Sequence, residues 1–272
     1  MSARGTIMMN LTKNEQNLEQ LLINLSHKSE TIRSQAAKAL GITANKQAVE
    51  PLLNALKDPS WQVRVMGIWA LMKIGDERAL ETITKALEDP HSSVRNQVVV
   101  ALGHFADRKS LEALLKAIED KEGFVGNEAA AAIGKLNDVK AIEPLINILK
   151  NRRSIVKCNA LVALAYFRDS RAVKPIIKAL NSKASYVRAM AACTLGTIGD
   201  ERAIKPLIKA LKDGDSEVRF QAIRALGEIG DEKVLPDLEQ IQLGDTTAFE
   251  NIGKLSDVAS EAIECIRQRI KS

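Results

Sequence analysis

Residues 205–234 read KPLIKALKDGDSEVRFQAIRALGEIGDEKV, and the apolar stripes running into and through this stretch decide the fold. Ile204, Leu207, Ile208 and Leu211 recur at the three-and-four spacing of one helix face. Asp213-Gly214-Asp215-Ser216 breaks that helix and caps the next. Val218, Ala222, Ala225, Leu226 and Ile229 form a second stripe, which Gly230 ends. Upstream, Asp200 supplies a side-chain acceptor for a helix start. Pro206 lacks an N–H, which is tolerated only in a first turn, so the regular helix begins or bends close to it.

The same unit recurs along the chain. Val-Arg occurs at Val63-Arg64, Val94-Arg95, Val187-Arg188 and Val218-Arg219, in steps of 31, 93 and 31 residues. Ile32-Arg33, Val125-Gly126 and Val156-Lys157 fill the remaining slots, so seven successive slots keep a β-branched residue. Three further columns keep step: Leu40 to Leu226, Gly41 to Gly227 (with Met72 and Ala165 as departures), and Asp76 to Asp231. Pro51, Pro144, Pro175 and Pro206 make another. A single hairpin of this size cannot bury both stripes, and stacking on its neighbours does so. The reading is therefore all-α: a right-handed α-α superhelix, or solenoid, of about eight helical-hairpin repeats with a 31-residue period.

Composition agrees. Aromatics are 3% of the 272 residues and the hydrophobic fraction is 46%, which suits a close-packed helical core of Leu, Ile, Val and Ala. No alternating β-branched run predicts a strand. The 39 basic and 34 acidic residues differ by only 39 − 34 = +5, which ranks nucleic acid last among partners. Three cysteines without a CxxC pair, no apolar run of membrane length and no signal-peptide pattern predict a cytoplasmic protein. Residues 1–9 are expected to be flexible, residues 10–272 to form a single solenoid, Asn10 to Leu25 to give the first outer helix, and 243–272 a loop with a capping helix from Ser256 to Ile270.

The unit quoted above, over roughly residues 14–242, resembles the short HEAT-like repeats named after phycobilisome lyases. The resemblance implies the superhelical fold. It also implies, as an alternative function, a bilin lyase-like factor, or one for phycobilisome assembly or degradation, that holds a bilin and its phycobiliprotein partner. Gly67-Ile68-Trp69-Ala70-Leu71 is the stretch that resembles the aromatic inner-helix segment of those lyases.

Individuality must lie where the units differ. In resembling solenoids the second helix of each pair lines the concave face. Counted from the Val slot, offsets +2, +6 and +10 point away from the buried stripe. At +6 stand Trp69, Val100, Ala131, Val162, Cys193 and Arg224, apolar over five units where a solvated face would be charged. The candidate partner-binding residues are Trp61, Val65, Trp69, Val100, His104, Val162, Tyr166, Tyr186 and Phe220, with Arg152, Arg153 and Lys157 as a basic steering patch. The Arg column (Arg33, Arg64, Arg95, Arg188, Arg219, with Lys157) is read as a structural ladder, in preference to a phosphate-binding one, with acidic or carbonyl partners in the stacked neighbour, the Asp column supplying candidate acids. The Asp column itself is read chiefly as helix caps. Cys158 and Cys193 read as buried and inert, and Gly126 as a drift or bend in the fourth repeat.

No zinc set, Walker loop, GxGxxG, GxSxG or HExxH is present, so no catalytic residue, metal or resident cofactor is assigned. The expected function is a protein–protein interaction scaffold binding another protein through the concave face.

Overall fold

The computed structural model describes residues 17–244, 247–249 and 253–271; the expected flexible segment 1–9 and the start of the first outer helix lie outside them. The chain divides into two compact units, Met1–Ala117 and Ile118–Ser272. The first holds a helix over 17–24 (α1), then α2 (Glu30–Thr43), α3 (Val49–Ala55), α4 (Trp61–Ile74), α5 (Leu80–Lys85), α6 (Ser92–Phe105) and α7 (Leu111–Ala117). The second holds α8 (Gly123–Leu136), α9 (Ile142–Ile148), α10 (Ser154–Phe167), α11 (Val173–Ala179), α12 (Ser185–Ile198), α13 (Ile204–Ala210), α14 (Ser216–Ile229), α15 (Leu235–Gly244) and α16 (Leu255–Lys271).

Long inner helices alternate with short outer ones. Every even-numbered helix from α2 to α14 is 14 residues long and begins at the Val-slot stripe. In the first unit α4 packs between α2 and α6; in the second α8, α10, α12, α14 and α16 follow one another side by side. The slot residues Val63, Val94, Val125, Val156, Val187 and Val218 are fully buried, with Leu71, Leu102, Ile133, Leu164, Leu195 and Leu226 two turns later. This is a stack of helical hairpins, as the period predicts.

The Asp column caps something smaller than expected. Asp76, Asp107, Asp138, Asp169, Asp200 and Asp231 each accept a hydrogen bond from the backbone N–H two residues on. What they open is a single 3-10 turn, such as Glu201–Ala203, that leads into the outer helix. Pro51, Pro144, Pro175 and Pro206 each fall third in an outer helix, where the missing N–H is one of the first-turn donors without an intrahelical partner. Asp215 caps α14 directly, accepting from the Glu217 and Val218 N–H groups.

The Arg column is structural, but its acids are not the capping column. Arg33 pairs with Asp58 through Nε at 2.6 Å and Nη2 at 2.8 Å. Arg64 meets Asp89 in the same two-pronged way at 2.7 and 2.8 Å, and Arg188 meets Asp213 at 2.7 and 2.6 Å. Each Asp lies 25 residues on, in the next inter-helix turn. The remaining guanidinium nitrogen holds carbonyls of its own turn, as Arg64 Nη1 holds Asp58 O and Pro59 O. Each rung thus ties one hairpin to the next by charge-assisted hydrogen bonds. Of the capping column, Asp76, Asp169 and Asp200 instead pair locally, each with the arginine two residues on; Arg78 holds the Asp76 carboxyl down at about 2.

The C-terminal end departs from the expected boundaries. α15 runs on through Gly244, and an antiparallel two-residue ladder pairs Ala248–Phe249 with Gly253–Lys254, although no strand was expected. The closing helix starts at Leu255, so Ser256 lies inside its first turn rather than at the cap. Its stripe does cover the last repeat: Val258, Ala262 and Ile266 are buried. Arg269 donates to the carbonyls of Gly227 and Gly230, satisfying acceptors at the end of α14.

A candidate partner-binding face on the inner helices

The rows at +6 and +10 are what the inner helices leave open. In the first unit Val65, Trp69 and Val100 are half-buried, and Lys73 and His104 are exposed. Trp69 is not sealed between hairpins. One ring edge lies over Gly41, where a Cβ would come within 2.9 Å of it, and Lys73 Nζ sits 5.7 Å from the ring centroid. The indole therefore offers an apolar surface with a cation beside it. His104 packs edge-on against Phe105.

In the second unit Ala131 and Val162 are half-buried, and Cys193, Arg224, Lys135 and Glu228 are exposed. Tyr166 is 54% exposed and lies over Gly134, where a Cβ would come within 2.4 Å of the ring. The glycine is what lets the phenol lie flat across the neighbouring helix. Arg168, Cys193, Thr197, Gln221, Arg224 and Glu228 border a cleft of about 370 Å³ on these rows.

Four of the expected site residues are placed differently. Phe220 is only 5% exposed and offers no surface. It belongs to the +2 row, which in the second unit leaves Asn127 exposed but buries Cys158 and Ala189 as well. Trp61 opens α4, about 12 Å along the axis from Trp69, and stacks on His91 with centroids 4.2 Å apart. Tyr186, 52% exposed, sits at the start of α12. Both aromatics border inter-helix turns rather than the +6 row. Arg153 is not a free steering charge: it donates to Glu119 O, Asp120 O and Lys121 O. Arg152 is exposed, while Lys157 is half-buried and lines a separate cavity with Lys150 and Lys178.

The cysteines divide. Cys158 is buried, and desolvation pushes its thiol up to about 11; its Sγ lies 3.9 Å from Tyr186 O. Cys193, expected to be buried, is exposed at the mouth of the cleft, and its thiol is still raised, first by desolvation. Gly126 stands inside the continuous helix α8. A Cβ there would come within 2.3 Å of Asn159 Nδ2 and 2.6 Å of Ile118 O, and the buried Asn159 donates to that carbonyl.

Two features escaped the sequence reading. One is the acid of the ladder rungs, signalled by Asp58, Asp89 and Asp213 standing at multiples of 31 residues from one another. The other is the lysine-lined cavity, for which the missing acid at Ser182 is the signal. Among the described residues no group of three or more His, Cys, Asp or Glu is placed to hold a metal, and no helix is long and apolar enough to cross a membrane.

The profile of HEAT repeats matches residues 18–99, 80–157, 142–214 and 185–250. No curated protein matches the chain in sequence. Among solved structures, the YibA protein of E. coli aligns over 92% of both chains with a TM-score of 0.61 and 22% identity. A chain of the Kap95p–RanGDP complex aligns over 92% of this chain and 40% of its own, with a TM-score of 0.74 and 13% identity. The CpcE–CpcF phycocyanin lyase complex of Nostoc sp. PCC7120 aligns over 92% of this chain and 94% of its own, with a TM-score of 0.46 and 21% identity. At these identities the likeness concerns the fold.

Proposed function

The chain belongs to the family of HEAT repeats, and from that premise we propose that it is an interaction scaffold whose inner-helix face binds another protein. The observation that carries this reading is the pair of rows at +6 and +10. Trp69, Val100, Val162 and Tyr166 leave apolar or aromatic surface open at positions where a merely solvated helix carries charge. Large side chains ordered in advance, Trp69 over Gly41 and Tyr166 over Gly134, are the kind of anchor on which interface energy concentrates. Charged neighbours at the rim, Lys73 and Glu228 among them, supply orientation. Kap95p, which shares the solenoid fold, binds RanGDP, and that is a fold-level precedent for protein recognition.

The test uses two sets of variants. Trp69→Glu with Val100→Glu alters the face of the first unit, and Tyr166→Glu that of the second. Partners are recovered by affinity purification from the native cell, then measured with purified components. Each set is expected to weaken the main partner by about tenfold or more while the helical circular dichroism stays unchanged. Full binding by both folded variants would remove the inner face as the site.

A further inference from the structure

In the 31-residue register, the basic ladder positions 33, 64 and 188 correspond to 126 and 157, and the acidic positions 58, 89 and 213 to 151 and 182. Two successive rungs therefore change both partners: Gly126 with Asn151, then Lys157 with Ser182. The first is repaired within the chain. Arg153 takes over the turn carbonyls that an arginine at 126 would hold, Asn151 Nδ2 donates to Glu119 Oε2 at 2.9 Å, and Asn159 fills the space beside Gly126. The second is not repaired. Lys157 keeps the positive charge, Ser182 cannot neutralise it, and among the described residues Lys157 Nζ has no hydrogen bond or ion pair.

Lys157 and Ser182 line one cavity of about 440 Å³, together with Lys150 and Lys178. Ile146 and Pro175 are among its apolar walls, and no carboxylate borders it. Lys150 Nζ is steered by Asn147 Oδ1 at 3.0 Å. We propose that this cavity binds a carboxylate side chain carried on an acidic segment of a partner protein, in the place that Asp58, Asp89 and Asp213 occupy from within the chain at the intact rungs. Those rungs define the ligand chemistry: a carboxylate, gripped at 2.6 to 2.8 Å by the base of the inner helix. The volume exceeds that of one carboxylate, and the apolar walls accept an aliphatic neighbour in the bound segment. Three lysines and no acid line the cavity, a charge balance that favours an anion from solution. The site is separate from the +6 and +10 rows, so its fate in experiment is independent of theirs.

The probe is a fluorescein-labelled octapeptide alternating Asp and Leu, read by fluorescence anisotropy against the full chain. Its Asn–Leu counterpart and inorganic phosphate are the comparison ligands. The Asp peptide is expected to saturate, and the Asn peptide to bind at least about tenfold more weakly. Lys157→Ala should weaken the Asp peptide by about tenfold. Ser182→Asp, which restores the acid within the chain, should abolish binding while the melting temperature holds or rises. Lys212→Ala, outside the cavity, should change nothing. Absence of saturation at millimolar protein, or binding that ignores both Lys157→Ala and Ser182→Asp, overturns the proposal. Lys157-dependent binding of phosphate as tight as that of the Asp peptide also overturns it, because the cavity would then be a small-anion site.

Discussion

Alanine and glycine exchange roles in this chain according to where each stands. Gly196 lies where α12 touches α14, and a Cβ there would come within 2.8 Å of both the Cα and the Cβ of Ala225. Gly196→Ala gains up to about 1 kcal/mol of helix propensity but must push a backbone apart. We expect a net loss of about 1–3 kcal/mol, seen as a lower denaturant midpoint. Ala106 is the opposite case. It ends α6 in the left-handed region with φ 50°, the position that Gly75 and Gly199 fill in other repeats. Ala106→Gly should relieve that strain and stabilise by about 1 kcal/mol. Urea melts of the two variants, moving in opposite directions, check both assignments. The open face is also a residue-scale matter: Tyr166 lies flat across the neighbouring helix because its neighbour is Gly134, and any larger residue there would lift the ring.

At the scale of elements, the ladder joins inter-helix turns, and its carboxylates make stability sensitive to acid. Burial alone would raise Asp58 and Asp89, but the guanidinium of Arg33 or Arg64 and a backbone N–H hold each below the usual carboxylate range. For Asp213 the hydrogen bonds from Arg188 dominate and lower it too. A depressed folded pKa gives stability that is present above the unfolded value, about 4, and lost as pH falls through the folded value. Melting temperature should therefore be insensitive to these rungs from pH 7 to about 5 and fall below about 4. Asp213→Asn should lower stability at pH 7 by about 1–3 kcal/mol and flatten the acid limb. Thermal melts of both proteins against pH test this, and parallel acid limbs would reject the rung as the cause. The hairpins themselves were legible in the sequence because every unit repeats the same contact, so Val, Leu, Gly and Asp all recur in register. The ladder acids were less so: each pair spans 25 residues and crosses from one repeat to the next, whereas the capping Asp column is the more regular of the two. The open face was legible in part. Offsets from one stripe find the half-buried and exposed +6 and +10 rows, but they do not contain the neighbouring helix, so the burial of Cys158, Ala189 and Phe220 on the +2 row could not be read from them.

For the whole molecule, the governing fact is that within each unit an inner helix touches mainly the one before and the one after, so the stability of that unit is a sum of local terms joined by nearest-neighbour interfaces. A stack of this kind needs a terminal element that buries its last apolar face. In the second unit α16 does so, setting Ala262 against Gly227, Ile266 against Gly230, and Arg269 on the carbonyls that end α14. Each large aliphatic side chain it buries, Leu255, Ile263 and Ile266 among them, is worth about 1.5–3 kcal/mol of transfer free energy. Deleting residues 255–272 should therefore not unfold the chain uniformly. Amide hydrogen exchange should accelerate most in α14 and α15, less in α12, and hardly at all in α8 and α10 or in the first unit. The gradient follows from the order of contacts: α14 loses a whole interface, whereas α8 loses only what is transmitted through α12 and α10. Exchange that rose equally from α8 to α15 would mean that the second unit unfolds as one cooperative body, and that the inner-helix face of one hairpin cannot be altered without disturbing the rest.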